Sequence, residues 1–146
     1  VLICLLLLAT PLALYAAASK AASRSLGLGF WPAFASFGYA YIPLALAGHL
    51  GHNFFHLVGE GGGGANTILA TFGVYTRLPT SLLSTEAIKG LQILTMGLGI
   101  ALSLYVAYRI AKSKGAPRAA LPHILLILLL ASSLLFLLSL PMGMRH

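Results

Sequence analysis

The hydrophobic residues of this chain fall into four long runs separated by short polar or glycine-rich segments. The runs cover residues of about 1–18, 31–60, 85–113 and 118–140. Each run approaches or exceeds the ~20 residues that an α-helix needs to cross a hydrocarbon core of about 30 Å. The pattern predicts an all-α integral membrane protein, a single domain over residues 1–146 whose four transmembrane helices form a bundle.

The boundaries of the runs carry local signals. Pro43 lies inside the second run and predicts a kink there. The glycine-rich segment 59–64 predicts the end of that helix and a flexible hinge, which opens an outer loop between the second and third helices. In this loop an apolar patch, 67–75, is too short to span and is expected to lie in the interface or dip back. Ser84 or Thr85 is expected to cap the third helix.

Composition supports the membrane assignment and excludes several functions. The chain is 59% apolar and 8% charged, and its formal net charge is +7. The charges sit at the ends of apolar runs, so they indicate topology and not nucleic-acid binding. The only acidic residues are Glu60 and Glu86, which makes paired-carboxylate hydrolysis and all-oxygen calcium or magnesium sites unlikely chemistry here. A single cysteine, Cys4, cannot form an internal disulfide or hold an iron–sulfur cluster.

Charge asymmetry predicts how the chain lies in the membrane. The first and third connections carry six basic residues and no acid: Lys20, Arg24, Arg109, Lys112, Lys114 and Arg118. The positive-inside rule places these connections in the cytoplasm, with both chain ends and the glycine-rich loop outside. We expect a bacterial inner membrane. Because the chain starts at Val1 with apolar residues, we expect it to be a processed product or part of a longer polypeptide.

Three of the five histidines lie together in the second run, in the segment 48–56. On a helix that turns about 100° per residue, His49, Asn53, His56 and Glu60 share a narrow face, and His52 lies roughly 60° to one side. An ionisable side chain in hydrocarbon is costly and usually serves binding or relay. The histidine stripe is therefore the predicted functional site.

The first hypothesis for this site is electron transfer. A b-type haem would use one of the imidazoles of His49, His52 or His56, with Asn53 alongside, and a second axial ligand from another element; alternatively the stripe shapes a quinone site. His123 is predicted to lie too far from His49 along the membrane normal to face the same haem, and to serve a structural or interfacial role. The depth-matched ligands are Met142, Met144 and His146, or a residue of a partner subunit.

Two alternatives stay open. In the first, His49, His52, His56 and Glu60 bind a copper, iron or zinc ion in a metal-handling or transport protein, since imidazole and carboxylate at helical spacing suit those ions. A single ion could take His49 with His52, or His52 with His56, but hardly all three. In the second, the chain is a purely structural assembly subunit and the histidines only pack.

A resemblance to a known family rests on two segments, YIPLALAGHLGHNFFHL at 41–57 and PMGMRH at 141–146. Together they resemble the membrane part of bacterial polyferredoxin-type proteins, which carry four-iron four-sulfur clusters. The resemblance implies electron transfer between the quinone pool or cytoplasmic donors and periplasmic acceptors, or maturation of redox enzymes. It implies partners among membrane, iron–sulfur and cytochrome subunits, and roles for His49, His52, Asn53 and His56 only. The cluster cysteines are absent here, so the chain would be the cluster-free membrane portion.

Overall fold

Six α-helices build the part of the chain that the computed structural model describes, residues 2–140, without the side chains of residues 2–5, 7 and 8. In chain order they are α1 (Leu2–Leu26), α2 (Phe30–Gly38), α3 (Ile42–Phe54), α4 (Gly61–Thr71), α5 (Thr85–Ser113) and α6 (Leu121–Ser139). A 3₁₀ turn, Tyr39–Tyr41, joins α2 to α3, and a π-helical turn, Phe55–Gly59, extends α3. Another 3₁₀ turn, Pro117–Ala120, leads into α6.

Three of these stretches are long and apolar enough to cross a membrane: Phe30–Gly59, Thr85–Ser113 and Pro117–Ser139. They coincide with the second, third and fourth spans expected from the hydrophobic pattern. The all-α architecture is thereby confirmed for the described residues, and the three long apolar helices are consistent with a membrane protein. The first expected span lies in α1, where several side chains are outside the described set, so the count of four spans stays a prediction.

The expected end of the first helix near Ala18 is wrong, because α1 continues without a break to Leu26. Lys20 and Arg24 therefore lie on its last turns and not in a separate basic turn. The segment after residue 16 is rich in alanine, the strongest helix former, so nothing stops the helix until Gly27 takes a positive φ of 62°. In these extra turns, Ala22 is buried in a cluster with Phe37 of α2, Ala111 of α5 and Ala119 of the 3₁₀ turn.

The regular α-helix is interrupted just before Pro43, where the sequence predicts a kink. Proline has no N–H to donate to the carbonyl one turn back, and the tighter 3₁₀ turn Tyr39–Tyr41 precedes α3, which begins at Ile42. The backbone N–H of Leu44, in the first turn of α3, donates instead to Ser103 Oγ of α5 at 3.0 Å. A buried serine on a neighbouring helix thus satisfies a donor that the start of α3 leaves free.

The glycine-rich segment does not form the hinge that the sequence predicts. Gly61–Gly64 make the first turn of α4, and the N–H groups of Gly62 and Gly63 donate to the Thr80 carbonyl at 3.1 and 3.3 Å. A side chain on Gly62 would collide with the backbone carbonyl of Pro79. The glycines are therefore used for close packing between α4 and the following loop, which overrides their low helix propensity.

The closest helix pair is α3 and α5. Gly99 of α5 lies against Ala47 and the Pro43 carbonyl, so closely that even a methyl group would collide with Ala47. Small residues at such a crossing let two backbones approach, which is how helices associate in a membrane. The expected Ser84 cap is also confirmed, since Ser84 Oγ accepts a hydrogen bond from the Ala87 N–H at 3.2 Å. These contacts fix the position of α3, which carries the histidines.

The loop after α4 depends on Asn66. Its side chain donates to the Leu78 carbonyl at 2.8 Å and accepts from the Leu78 N–H at 3.0 Å and from Thr76 Oγ1 at 2.8 Å. One amide thereby closes a segment of about a dozen residues against α4.

We expect Asn66→Ala to open this loop while the helix core stays intact, because all three hydrogen bonds are lost together, at roughly 1 kcal/mol each. Hydrogen exchange of residues 72–83 should become at least tenfold faster. Thr67→Ala is the matched control, since the Thr67 hydroxyl bonds only to the Gly63 carbonyl within α4. Equal exchange in the two variants would contradict the role given to Asn66.

Candidate functional site: the histidine face of α3

Helix α3 has two opposite faces. One face is buried and consists of Leu44, Ala47 and Gly51. The histidines occupy the other side, and His49, His52 and His56 are all exposed. At about 100° per residue, this separation follows directly from their sequence positions. The histidine face, which we define as His49, His52, Asn53, His56 and Glu60, therefore points away from the helices of its own chain.

The predicted site residues contact one another in pairs along the helix. Asn53 Nδ2 donates to the His49 carbonyl at 2.8 Å and lies 3.4 Å from His49 Nε2. His56 Nδ1 lies 3.1 Å from Glu60 Oε2, with the two side chains 50% and 59% exposed. The ring centroids of His52 and His56 are 5.4 Å apart. The face thus consists of neighbouring pairs along one helix.

These pairs do not converge on a single centre. Within residues 2–140, no three or more His, Cys, Asp or Glu side chains are grouped closely enough to hold a metal ion. His49 is turned toward Asn53, and at 1.5 Å per residue it lies about 10 Å along the helix axis from His56. A full coordination sphere on this face therefore needs donors from outside α3.

The space beside the two glycines next to the histidines is occupied by side chains of α6. Gly48 faces the Leu134 side chain of α6, at 3.2 Å from where a Cβ would lie, and Gly51 faces Leu138 at 3.5 Å. The Gly51 carbonyl accepts a hydrogen bond from Gln92 Nε2 of α5 at 2.7 Å. A planar cofactor bound to these histidines would therefore sit on the outer surface of the bundle and not between α3, α5 and α6.

A π-helical turn follows this contact. Residues Phe55–Gly59, including His56, have the wider π geometry. Such turns are rare, and they occur frequently at functional sites because they rotate the side chains that follow relative to an uninterrupted α-helix. Here the turn carries His56 between His52 and Glu60. Sequence periodicity at 3.6 residues per turn gave no sign of it.

The length of the second span sets the depth of the histidines. Its 30 residues extend about 45 Å at 1.5 Å per residue, well beyond a hydrocarbon core of about 30 Å. If the exposed Trp31 marks the aromatic belt at one interface, we expect the other edge of the core near Gly51. On this assumption His49 would border the hydrocarbon, and His52, His56 and Glu60 would lie at the level of the head groups.

His123 forms a second polar site that is fully buried, near the other end of α3. Its Nδ1 lies 2.9 Å from the Tyr41 hydroxyl, and its ring stacks on Phe37 with centroids 4.0 Å apart. Tyr15 of α1 packs against the same ring and donates to the Phe34 carbonyl. Its partner Tyr41 precedes His49 by eight residues in the second span, so His123 lies well away from His49 along the helix axis. This separation agrees with the predicted depth of His123 and with a structural role.

The extent of that role was not evident from the sequence. The signal that could have found it is the period of α6, since His123 shares a face with the buried residues Ile127 and Ala131. The other proposed partners of the stripe, Met142, Met144 and His146, lie outside the described residues.

Comparison with known proteins finds no family model, no curated protein and no solved structure that matches this chain. The fold and the site define its class: an all-α protein whose described part has three helices long and apolar enough to cross a membrane, one of them with an exposed histidine surface.

Proposed function

We propose that this chain is a membrane subunit of a respiratory-type electron-transfer complex in the bacterial inner membrane. In this proposal the histidine face of α3 binds a b-type haem, or borders a quinone site, together with a partner subunit. The observation that supports it most is the exposure of His49, His52 and His56 on the side of α3 that the bundle does not use. An imidazole at the edge of the hydrocarbon, where we expect His49, is costly unless something binds or pairs with it.

The orientation of the histidines favours a shared site. The buried face of α3 already packs on α5, and side chains of α6 occupy the space beside Gly48 and Gly51. A haem bound to one of these imidazoles would need its second axial ligand from another polypeptide or from the chain beyond residue 140. Membrane, iron–sulfur or cytochrome subunits are the partners that such a complex would contain, and this chain would act as conduit and anchor, with substrate chemistry elsewhere.

The roles of the individual residues follow from their contacts. The His49 side chain lies at the edge of the hydrocarbon, where a haem or a quinone ring would be shielded from water. Asn53 Nδ2 lies 3.4 Å from His49 Nε2, and this donor suits a ring that carries its proton on Nδ1. A haem iron bound at Nδ1 would leave Nε2 protonated and would need the Asn53 side-chain oxygen turned toward it. A quinone carbonyl could accept a hydrogen bond from the same imidazole. Either cofactor would cover the exposed side of α3, on which no other helix of the described chain packs.

The test is a reduced-minus-oxidised absorption spectrum of the complex purified with its native partners, repeated for His49→Ala, His52→Ala and His56→Ala. A b-type haem band that disappears in at least one variant and persists in Asn66→Ala supports haem binding. A quinone role predicts no haem band but bound quinone that is lost with the same substitutions. If neither cofactor is present in the intact complex, the electron-transfer proposal fails and the structural assembly role remains.

A further inference from the structure

We infer that His52 and His56 form a two-histidine chelate for a divalent transition-metal ion of the zinc and copper class, with Glu60 as the carboxylate that orients His56. The inference goes beyond the electron-transfer proposal and does not rest on it, because it needs only residues of this chain. It leaves His49, which is engaged with Asn53, as the imidazole available to a haem or a quinone.

The distance between the two rings fits a shared ion. Two imidazoles that bind one tetrahedral metal ion through Zn–N bonds of about 2.0–2.1 Å hold their ring centroids roughly 5 Å apart. The rings of His52 and His56 are 5.4 Å apart at centroid, with an interplanar angle of 66°. Histidines at positions i and i+4 of a helix are a known metal-binding spacing, since both side chains project from one face. The two rings are therefore already at the separation that a shared ion requires.

Glu60 completes the arrangement of His56. Its Oε2 lies 3.1 Å from His56 Nδ1, so Nδ1–H donates to the carboxylate and Nε2 is left with its lone pair free. Metal-binding histidines almost always donate their second ring nitrogen to a carboxylate, a carbonyl or water, which fixes the tautomer and makes the ligand more basic. Glu60 follows His56 by one turn, as His56 follows His52, so the three residues form a continuous series along the outer end of the helix.

The surroundings favour access and define the class of ion. His52, His56 and Glu60 are exposed, and at the head-group level expected for this end of the span an aqueous ion could reach them. Two nitrogen donors suit zinc, copper and nickel, and do not suit magnesium or calcium, which prefer oxygen. Two coordination positions stay open for water or for donors of a partner. The site therefore has the open character of a loading or exchange site and not of a closed structural one.

The experiment is a titration of the full chain in detergent, purified without a histidine tag, with Zn²⁺ followed by calorimetry and with Co²⁺ followed by its visible absorption. We expect one ion per chain at this site. His52→Ala and His56→Ala should each weaken binding by at least about tenfold. Glu60→Gln should weaken it by about 10–100-fold, because a second-shell partner is lost while both ligands remain. Glu86→Gln, which changes the chain's other glutamate, is the matched control for Glu60→Gln and should change the affinity less than twofold. His49→Ala should weaken binding less than His52→Ala does.

Three results would overturn the inference: no binding of either ion, binding that survives the double change of His52 and His56 to alanine, or a loss in His49→Ala as large as that in His52→Ala. Hydrogen exchange separates a folding defect from a lost ligand, since the variants should keep the protection of α5 and α6. The spectrum of the native complex tests the electron-transfer proposal separately, because a chain without haem can still bind Zn²⁺.

Discussion

Gly99→Ala is expected to destabilise the protein strongly, although it adds a single methyl group and raises helix propensity. The new Cβ would collide with Ala47 and approach the Pro43 carbonyl, so α3 and α5 would have to move apart. Overpacking of a tight core contact costs about 1–3 kcal/mol, and here the obstacle includes backbone, so we expect about 3 kcal/mol. Thermal unfolding in detergent, followed by circular dichroism, should show a midpoint lower by roughly 10 °C.

Gly97→Ala is the matched control on the same helix. Nothing lies within 4 Å of the position where its Cβ would be built, so the methyl group has open space. Since alanine is favoured over glycine inside a helix by roughly 0.5–1 kcal/mol, Gly97→Ala should leave the stability unchanged or raise it. The two variants should therefore differ in sign. Equal effects would show that the α3–α5 contact is not as close as described.

His123→Ala is expected to have a comparable effect for a different reason. The ring is fully buried, stacks on Phe37 and bonds to the Tyr41 hydroxyl, so its removal leaves both a cavity and an unpaired polar group. Truncating a buried aromatic side chain to alanine costs about 3–5 kcal/mol. We expect a loss of at least about 3 kcal/mol in the free energy of unfolding, measured by denaturant titration in mixed micelles.

Two further variants separate the parts of this effect. Tyr41→Phe removes only the hydroxyl and should cost about 1–2 kcal/mol, because His123 Nδ1 then lacks a partner. His49→Ala, on the exposed face of α3, should stay within about 0.5 kcal/mol of the unaltered protein. If His123→Ala unfolded no more easily than His49→Ala, the buried histidine would not hold α1, α2 and α6 together as its contacts indicate.

The long helices could be predicted because their signals are local and repeated. Runs of apolar residues located three of the spans to within a residue or two, and Pro43 and Ser84 marked a break and a cap whose mechanisms involve only neighbouring residues. The helical period also predicted that His49 lies beside Asn53 and that His56 lies beside Glu60. These features depend only on residues that are close together in the sequence.

What the sequence did not predict depends on contacts between distant residues. The Gly61–Gly64 segment is helical because Thr80 and Pro79 pack onto it from the far end of the loop. The histidine face points away from the bundle because the opposite side of α3 packs closely against α5, a contact that the missing side chain of Gly99 allows. The π turn that carries His56 breaks the 3.6 period on which the prediction rested. Such features can be predicted only when it is known which distant residues contact each other in the fold.

The central claim is that the histidine face of α3 binds a ligand and does not stabilise the bundle. The most direct test is to measure, for one triple variant with His49, His52 and His56 changed to alanine, both the unfolding midpoint of the isolated chain and the cofactor and metal content of the native complex. We predict an unchanged midpoint, corresponding to a change of less than about 0.5 kcal/mol in the free energy of unfolding, together with loss of the bound haem, quinone or metal ion. A lower midpoint with unchanged cofactor and metal content would contradict the claim and show that the histidines serve packing.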